Sequence, residues 1–530
     1  MKTISELSLG FSDASNYLKR QNKQLFADVF VKNDFLNSLQ NPNVYFLIGE
    51  KGTGKTAYAV YLNNNCFEGQ KSILKFIKST DYEKFYELKK NGKIDISGFE
   101  DVWKTILLLL LAKSITKDDL KQKILTGNQY LSSLQKAIDD YYNNAFSPEI
   151  TYAFKIVDNS DVMAKLMTEH AEFGISNGKN VEFVHQKMQL NLYYIFRKFE
   201  ECFSKLHFSR NITLYIDGID VRPPHIPYDM YLQIIRGLSD ACWSLNNDLF
   251  SNLRDSIGQP RIVLLLRPDI FASLNLQNAT NKLADNSVYL DWTTTYTEYK
   301  NSPLYNVAKK LIGRDISNGE DVDYWEKYFD WKFPTTSENR EYDTAFMEFL
   351  RISLSRPRDV QRIVSILQGL MKRNKKGNRT TFDVKEYKSD AFQNQYSEYF
   401  LGSLKDQLSF YYSADEFEHF KKFFELFEDA QFTYEQYCSV YKKYIDYICD
   451  NATDVPEFVE DPLKFLQLLY DSNVITAIEE KQEPFFHFSY REKSPTNIAP
   501  KVPIGKNVYY RFHYGLFKKT NKGRFINPNK

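Results

Sequence analysis

At 530 residues the chain is too long for one hydrophobic core, so roughly two to four domains are expected. With 43% apolar and 26% charged residues and sparse Pro and Gly, the composition excludes a long disordered or low-complexity protein. The formal net charge of +1 argues against a protein that coats nucleic acid with its whole surface, and five scattered cysteines without CxxC spacing suggest neither a disulfide framework nor a zinc site.

The first residues, MKTISELSLGFSD, lack the apolar stretch of a signal peptide, and together with the cysteine usage this leads us to expect a reducing cytoplasm. Val44 to Ile48 (VYFLI) is a short apolar run of the kind that forms a strand buried on both faces of a parallel sheet. A loop follows at once, Gly49-Glu50-Lys51-Gly52-Thr53-Gly54-Lys55-Thr56, and then a helical stretch, AYAVYL. The loop matches GxxxxGK[ST] between a strand and a helix, the context that a P-loop requires. Glycines let backbone N–H groups wrap phosphate oxygens, Lys55 is expected on the β- and γ-phosphates, and the Thr56 hydroxyl on Mg²⁺. ATP with Mg²⁺ is therefore the expected ligand.

About 155 residues separate Lys55 from Ile212, more than a compact βαβ unit needs, so a helical insertion is expected at about 85–205. Within it, Phe99 to Thr116 and Val181 to Leu206 carry apolar residues at helical spacing. The run Ile106 to Ala112 is too short to span a bilayer and reads as a buried helix, so no membrane is expected as a partner. The aromatic stripe Tyr193, Tyr194, Phe196, Phe199 and Phe203 reads as packing before base stacking.

Ile212 to Asp220 (ITLYIDGID) supplies the second strand, with Asp217 expected on Mg²⁺ directly or through water. Asp220 is set either to orient or deprotonate the attacking water or to cap the helix that follows, with Glu50 a rival for the base. Arg261 to Leu266 (RIVLLL) is a third buried strand, and Arg267 just beyond it either reaches the γ-phosphate or pairs with Asp269 or Asp217. Pro303 to Leu370 reads helical, and the basic cluster Lys372 to Arg379 predicts a domain border near 380. Helices follow at Glu416–Phe427 and Thr433–Cys449. Phe485 to Tyr490 and Val508 to His513 read as two strands joined by a basic loop, which after helices predicts a winged helix. From Ser494 to Lys530 there are eight Lys or Arg residues and no acid, either a solvated tail or a polyanion contact.

Taken together, GEKGTGKT at Gly49, YIDGIDVRP from Tyr215, LLLRPDIFASLNLQNATNKLADNSVYLDW from Leu264 and SRPRDVQRI from Ser355 resemble a family of bacterial FunZ-like P-loop ATPases related to the AAA+ and STAND groups. The resemblance covers roughly residues 10 to 370. It implies an ATPase core with a helical lid, a first-sensor role for Arg267 and a lid-arginine role for Arg358, the competing reading of Arg358 being a structural pair with Asp359. Gly218 stands where a common AAA+ pattern has glutamate after the Walker B aspartate, which leaves the base open between Asp220 and Glu50 and resembles switch ATPases with slow hydrolysis. AAA+ relatives place an arginine of one subunit at the next subunit's nucleotide, so a homo-oligomer is compatible, although no arginine here is assigned to that role.

The expected fold is thus an α/β P-loop NTPase, AAA+/STAND-like, with a parallel sheet and flanking helices. Its expected divisions are a core at 1–300, a helical lid at 301–380 and a C-terminal α+β domain at 381–530. The expected function is an ATP-hydrolysing switch, which the resemblance sets in bacterial genome maintenance or anti-phage defence with a separate effector protein. Two alternatives stand beside it: a DNA- or RNA-binding module tuned by ATP through the C-terminal basic region, including Lys518, Lys519, Lys522 and Arg524, and a scaffold that binds ATP without hydrolysing it. The histidines form no metal-ligand pattern, and no GxSxG nucleophile elbow is present.

Overall fold

The computed structural model describes residues 1–78, 98–121, 199–313, 323–335, 341–412, 414–451 and 459–518, with isolated positions between 82 and 197 and at 455. The chain divides into two compact units, one of Asn37–Ile48 and Tyr58–Val288, the other of Met1–Leu36, Gly49–Ala57 and Tyr289–Lys530.

The first unit is built on a five-stranded parallel sheet of β1 (Phe46–Ile48), β2 (Lys71–Phe76), β3 (Ile212–Asp217), β4 (Pro260–Leu266) and β5 (Ser287–Tyr289), in the order β2-β3-β4-β1-β5. Every residue of β1, β3 and β4 is buried, which is why these strands are apolar runs without alternation. β2 is half-buried and β5 only three residues long, so neither carries the apolar run that marks the other three. β4 lies between β1 and β3, with Ile48 opposite Leu266 and Ile216 opposite Leu264, so the three strands finish on one edge. The helix α1 (Lys55–Asn64) leaves the loop after β1, and α2 (Gly98–Ala112) packs on α3 (Tyr228–Ser244), where the Trp103 indole donates to the Ile234 carbonyl at 3.0 Å. At the opposite end of the sheet the buried Arg261 guanidinium donates to Thr213 Oγ1 at 2.8 Å and to the carbonyls of Leu39 and Asn41, fastening the segment that enters β1.

The second unit is mostly helical around an aromatic core. Phe329 stacks on Phe382 at 4.5 Å, and Trp325, Trp331 and Phe349 pack edge-on around Phe329 or beside it. Chain ranges 301–380 and 381–530 both belong to this unit, with α4 (Pro357–Arg373) packed against α5 (Asp390–Leu408). The helices expected at 416–427 and 433–449 appear as Ala414–Glu425 and Tyr434–Asn451.

The two C-terminal strands differ from expectation in their pairing. β10 (Phe485–His487) and β11 (Val508–Phe512) do not pair with each other. Both pair with β9 (Ile475–Glu479), and β11 also pairs with β8 (Gln431–Thr433), giving a four-stranded antiparallel sheet in the order β10-β9-β11-β8. The direct two-stranded wing is therefore replaced. β9 is buried at four of its five positions, so it lacks the alternation that would have marked it as a strand. The run expected as strand to Tyr490 stops at His487, because Ser489–Glu492 turns into a short helix. A further small pair, β6 (Lys332–Phe333) with β7 (Asp343–Thr344), interrupts the stretch expected to be helical from 303 to 370.

Most of the expected insertion, including the helix from Val181 as far as residue 195 with Tyr193 and Tyr194, lies outside the described residues. Phe199 and Phe203 are fully buried, as packing requires, with Phe203 against Phe250 at 5.9 Å. Among the described residues no helix is long and apolar enough to cross a membrane.

Candidate functional site

On the sheet edge, Asp217 ends β3 at 8% exposure, with its Oδ1 accepting from Gly218 N at 2.8 Å and its carbonyl accepting from Ile77 N at 2.9 Å. Gly218 has φ +91°, and a β-carbon there would lie 2.3 Å from the Ile77 carbonyl oxygen. Glycine is thus the residue this backbone permits, and a glutamate directly after Asp217 is sterically excluded. Asp220 is half-buried in the turn that follows. That turn is held by Tyr231, whose hydroxyl donates to the Ile219 carbonyl at 2.8 Å and whose burial pushes its ionisation upward. α3 begins at Tyr228 with Pro227 at its N-cap, so Asp220 does not cap it.

Arg267 follows β4 and is fully buried. Its guanidinium makes two hydrogen bonds to the Asp269 carboxylate, the nearer partner that the sequence offered, one of them at 3.0 Å from Nε. Arg267 also occupies the N-cap position of the short helix Pro268–Ser273.

In the other unit, the loop from Gly49 to Thr56 is defined by what binds its carbonyl oxygens. Lys55 Nζ donates to Gly49 O at 2.7 Å and Glu50 O at 3.2 Å, and Thr53 Oγ1 donates to Glu50 O at 2.8 Å. Arg356 Nη1 donates to Lys51 O at 2.7 Å, Arg358 N to Gly52 O at 3.4 Å and Trp292 Nε1 to Thr53 O at 2.8 Å. Gly52 and Gly54 sit at φ +93° and +101°, a region closed to most side-chain-bearing residues. Because a trans peptide sets N–H opposite C=O, carbonyls tied to the surrounding protein leave the N–H groups of Gly52 and Gly54 facing the other way. Thr56 is half-buried in the first turn of α1.

Glu50, the rival base, is committed elsewhere: its Oε1 lies 2.6 Å from Lys493 Nζ, a lysine 4% exposed. The buried arginine of the 355–363 segment is Arg356 rather than Arg358, and it is Arg356 that pairs with Asp359, at 2.8 and 2.9 Å. Burial alone would raise the Asp359 carboxyl. Arg356, Leu354 N and the Tyr399 hydroxyl together hold it below the ordinary carboxylate value. Arg358 is half-buried, and its Cβ and Cδ would lie 3.4 and 3.5 Å from a β-carbon on Gly52, so it borders the loop directly. Lys51 reaches the exposed Asp406 at 3.6 Å, a contact of small energetic weight.

The sequence reading missed Trp292, Arg356 and Lys493. Trp292 and Arg356 lie inside the blocks that carry the resemblance, whereas nothing local marks Lys493. In the basic C-terminal region Lys518 pairs with Asp390 at 3.0 Å, and Lys519, Lys522 and Arg524 lie outside the described residues. No family model matches the chain, and no curated protein or solved structure matches it.

Proposed function

We propose that this chain binds ATP with Mg²⁺ through Gly49–Thr56 and hydrolyses it slowly, as a switch that acts on a separate effector protein. One observation carries the reading: a loop between a buried parallel strand and a helix has its carbonyls tied outward and two glycines at positive φ. Such a loop presents backbone N–H groups to an anion at a helix N-terminus.

The residues take the following roles in this reading. Lys55, resting on two carbonyls of its own loop, transfers its ammonium to the β- and γ-phosphates. The bound Mg²⁺ would neutralise phosphate charge, with Thr56 and Asp217 as its protein ligands. A P-loop magnesium takes only one or two protein oxygens besides phosphate and water. It therefore does not need a cluster of three or more His, Cys, Asp or Glu side chains, and none is assembled among the described residues. Asp220 orients the attacking water, since Gly218 bars a carboxylate at the next position and Glu50 is held by Lys493. Arg358, bordering Gly52, is the better-supported reader of the γ-phosphate, and Arg267 would have to leave Asp269 to share that task. A setting in bacterial genome maintenance or anti-phage defence rests on the sequence resemblance, and an effector gene beside this one would favour it.

Lys55→Ala tests the reading. Titration calorimetry with Mg·ATP is expected to show an affinity loss of roughly 100-fold, the scale of charge-assisted hydrogen bonds to phosphate. Cooperative unfolding is expected to persist. Equal affinity in variant and wild type would remove the loop from this role.

A further inference from the structure

We infer that Lys493 and Arg356 are positioning residues for the nucleotide loop, gripping Glu50 and Lys51 between its first two glycines and setting its affinity from the C-terminal part of the chain. The inference rests on the nucleotide reading above. Between Gly49 and Gly52 only Glu50 and Lys51 carry side chains, so local sequence leaves this half of the loop weakly specified. Each of the two is met by a buried cation from far along the chain.

Lys493 Nζ contacts Glu50 Oε1 at 2.6 Å and donates to the Asp471 carbonyl at 3.1 Å. Arg356 Nη1 holds the Lys51 carbonyl at 2.7 Å, while Nε and Nη2 are engaged by Asp359. Asp359 is completely buried and also accepts from Leu354 N at 3.0 Å and from the Tyr399 hydroxyl at 2.8 Å. Arg356 therefore cannot swing away without stranding a buried carboxylate.

Buried ion pairs are poor devices for stability, because desolvation offsets most of the attraction; their better-attested use is to select one geometry. The backbone supports that use. Ser355, immediately before Arg356, has φ +51°, and Asn473, whose Oδ1 accepts from Tyr490 N at 3.0 Å, has φ +60°. Tyr490 belongs to the short helix Ser489–Glu492 that delivers Lys493. Left-handed conformations of β-carbon-bearing residues persist only where the surroundings over-determine them, and here one stands behind each cation. Both residues, with Glu50, Thr53, Trp292 and Arg356, line one cleft beside the loop.

The experiment is a double-mutant cycle read by Mg·ATP affinity. Wild type, Lys55→Ala, Glu50→Gln, Lys493→Met and the double variant Glu50→Gln/Lys493→Met are titrated, and each is unfolded thermally without nucleotide. Each single clamp variant is expected to weaken binding about 10-fold, within the range of site-to-site coupling. The double variant is expected to bind no more weakly than the weaker single variant. Affinities are read at a temperature where every variant is fully folded, because Glu50→Gln leaves the buried Lys493 without its counter-charge and is expected to lower the unfolding midpoint; a merely structural pair would lower the midpoint with no affinity loss in the folded protein. Wild-type affinity in Glu50→Gln, or additive losses in the double variant, would overturn the inference while a weakened Lys55→Ala left the nucleotide reading standing. Equal affinities in wild type and Lys55→Ala would overturn both. Should Lys493→Met fail to fold, Glu50→Gln, isosteric and at the loop itself, decides alone.

Discussion

The sheet edge and the loop after β1 hold their candidate functional residues by opposite means. At the edge, Asp217 bonds to the next residue and Arg267 to a partner two positions on. In the loop, Thr53, Lys51 and Glu50 are held by partners 239, 305 and 443 positions away. The edge therefore rests on strand pairing, one tight turn and an ion pair between near neighbours in the chain. The loop is a product of tertiary packing, so changes in the direction of its N–H groups are expected from substitutions far along the chain.

Four substitutions break or sharpen that contrast. Asp359→Ala leaves the Arg356 guanidinium buried and unpaired, which costs about 3–5 kcal/mol when a buried pair loses one partner. Urea unfolding measures it, and a loss confined to a few tenths would show that the clamp is not load-sharing. Asp220→Asn is expected to keep Mg·ATP affinity while turnover falls about 10²-fold, the scale of general-base catalysis. Unchanged phosphate release would take Asp220 out of the water-orienting role.

Gly218→Ala places a β-carbon 2.3 Å from the Ile77 carbonyl at φ +91°, at an expected cost of about 2 kcal/mol. Unlike Asp359→Ala, it acts on the edge, and the clamp double-mutant coupling is expected to survive it. The last effect concerns pH. His513, 2% exposed and stacked on Phe400 at 4.6 Å, has its imidazole pushed down to about 3 by burial, with Arg356 and Arg491 adding to the shift against Asp359. The unfolded chain then takes up a proton below about pH 6.5 that the folded chain refuses. This contribution to stability is complete above that value and declines as pH falls toward 3, by about 1 kcal/mol per pH unit. His513→Gln is expected to flatten the slope between pH 6.5 and 4.5, and identical slopes would place the titration elsewhere.

How much could be read beforehand followed the same contrast. β1, β3 and β4 were legible because strands covered on both faces are written as unbroken apolar runs, and Gly218 was legible as a departure whose steric reason appears only beside Ile77. β2, β5, β8 and β9 were not, being too short, half-buried or without alternation. Arg358 was singled out by its motif, yet the buried arginine on the loop is Arg356, two positions earlier and held by Asp359.

By itself, then, the sequence determined the order strand, Gly-rich loop and helix, the type of each residue from Gly49 to Thr56, and the acid at the end of β3. These are set by local rules of backbone freedom, charge and apolar run length. Only the tertiary structure decided that Glu50 meets Lys493, that Lys51 meets Arg356 and that β9 separates β10 from β11. The two loop pairings join residues hundreds of positions apart, and a partner that is a neighbour only in the folded chain leaves no mark in any local pattern.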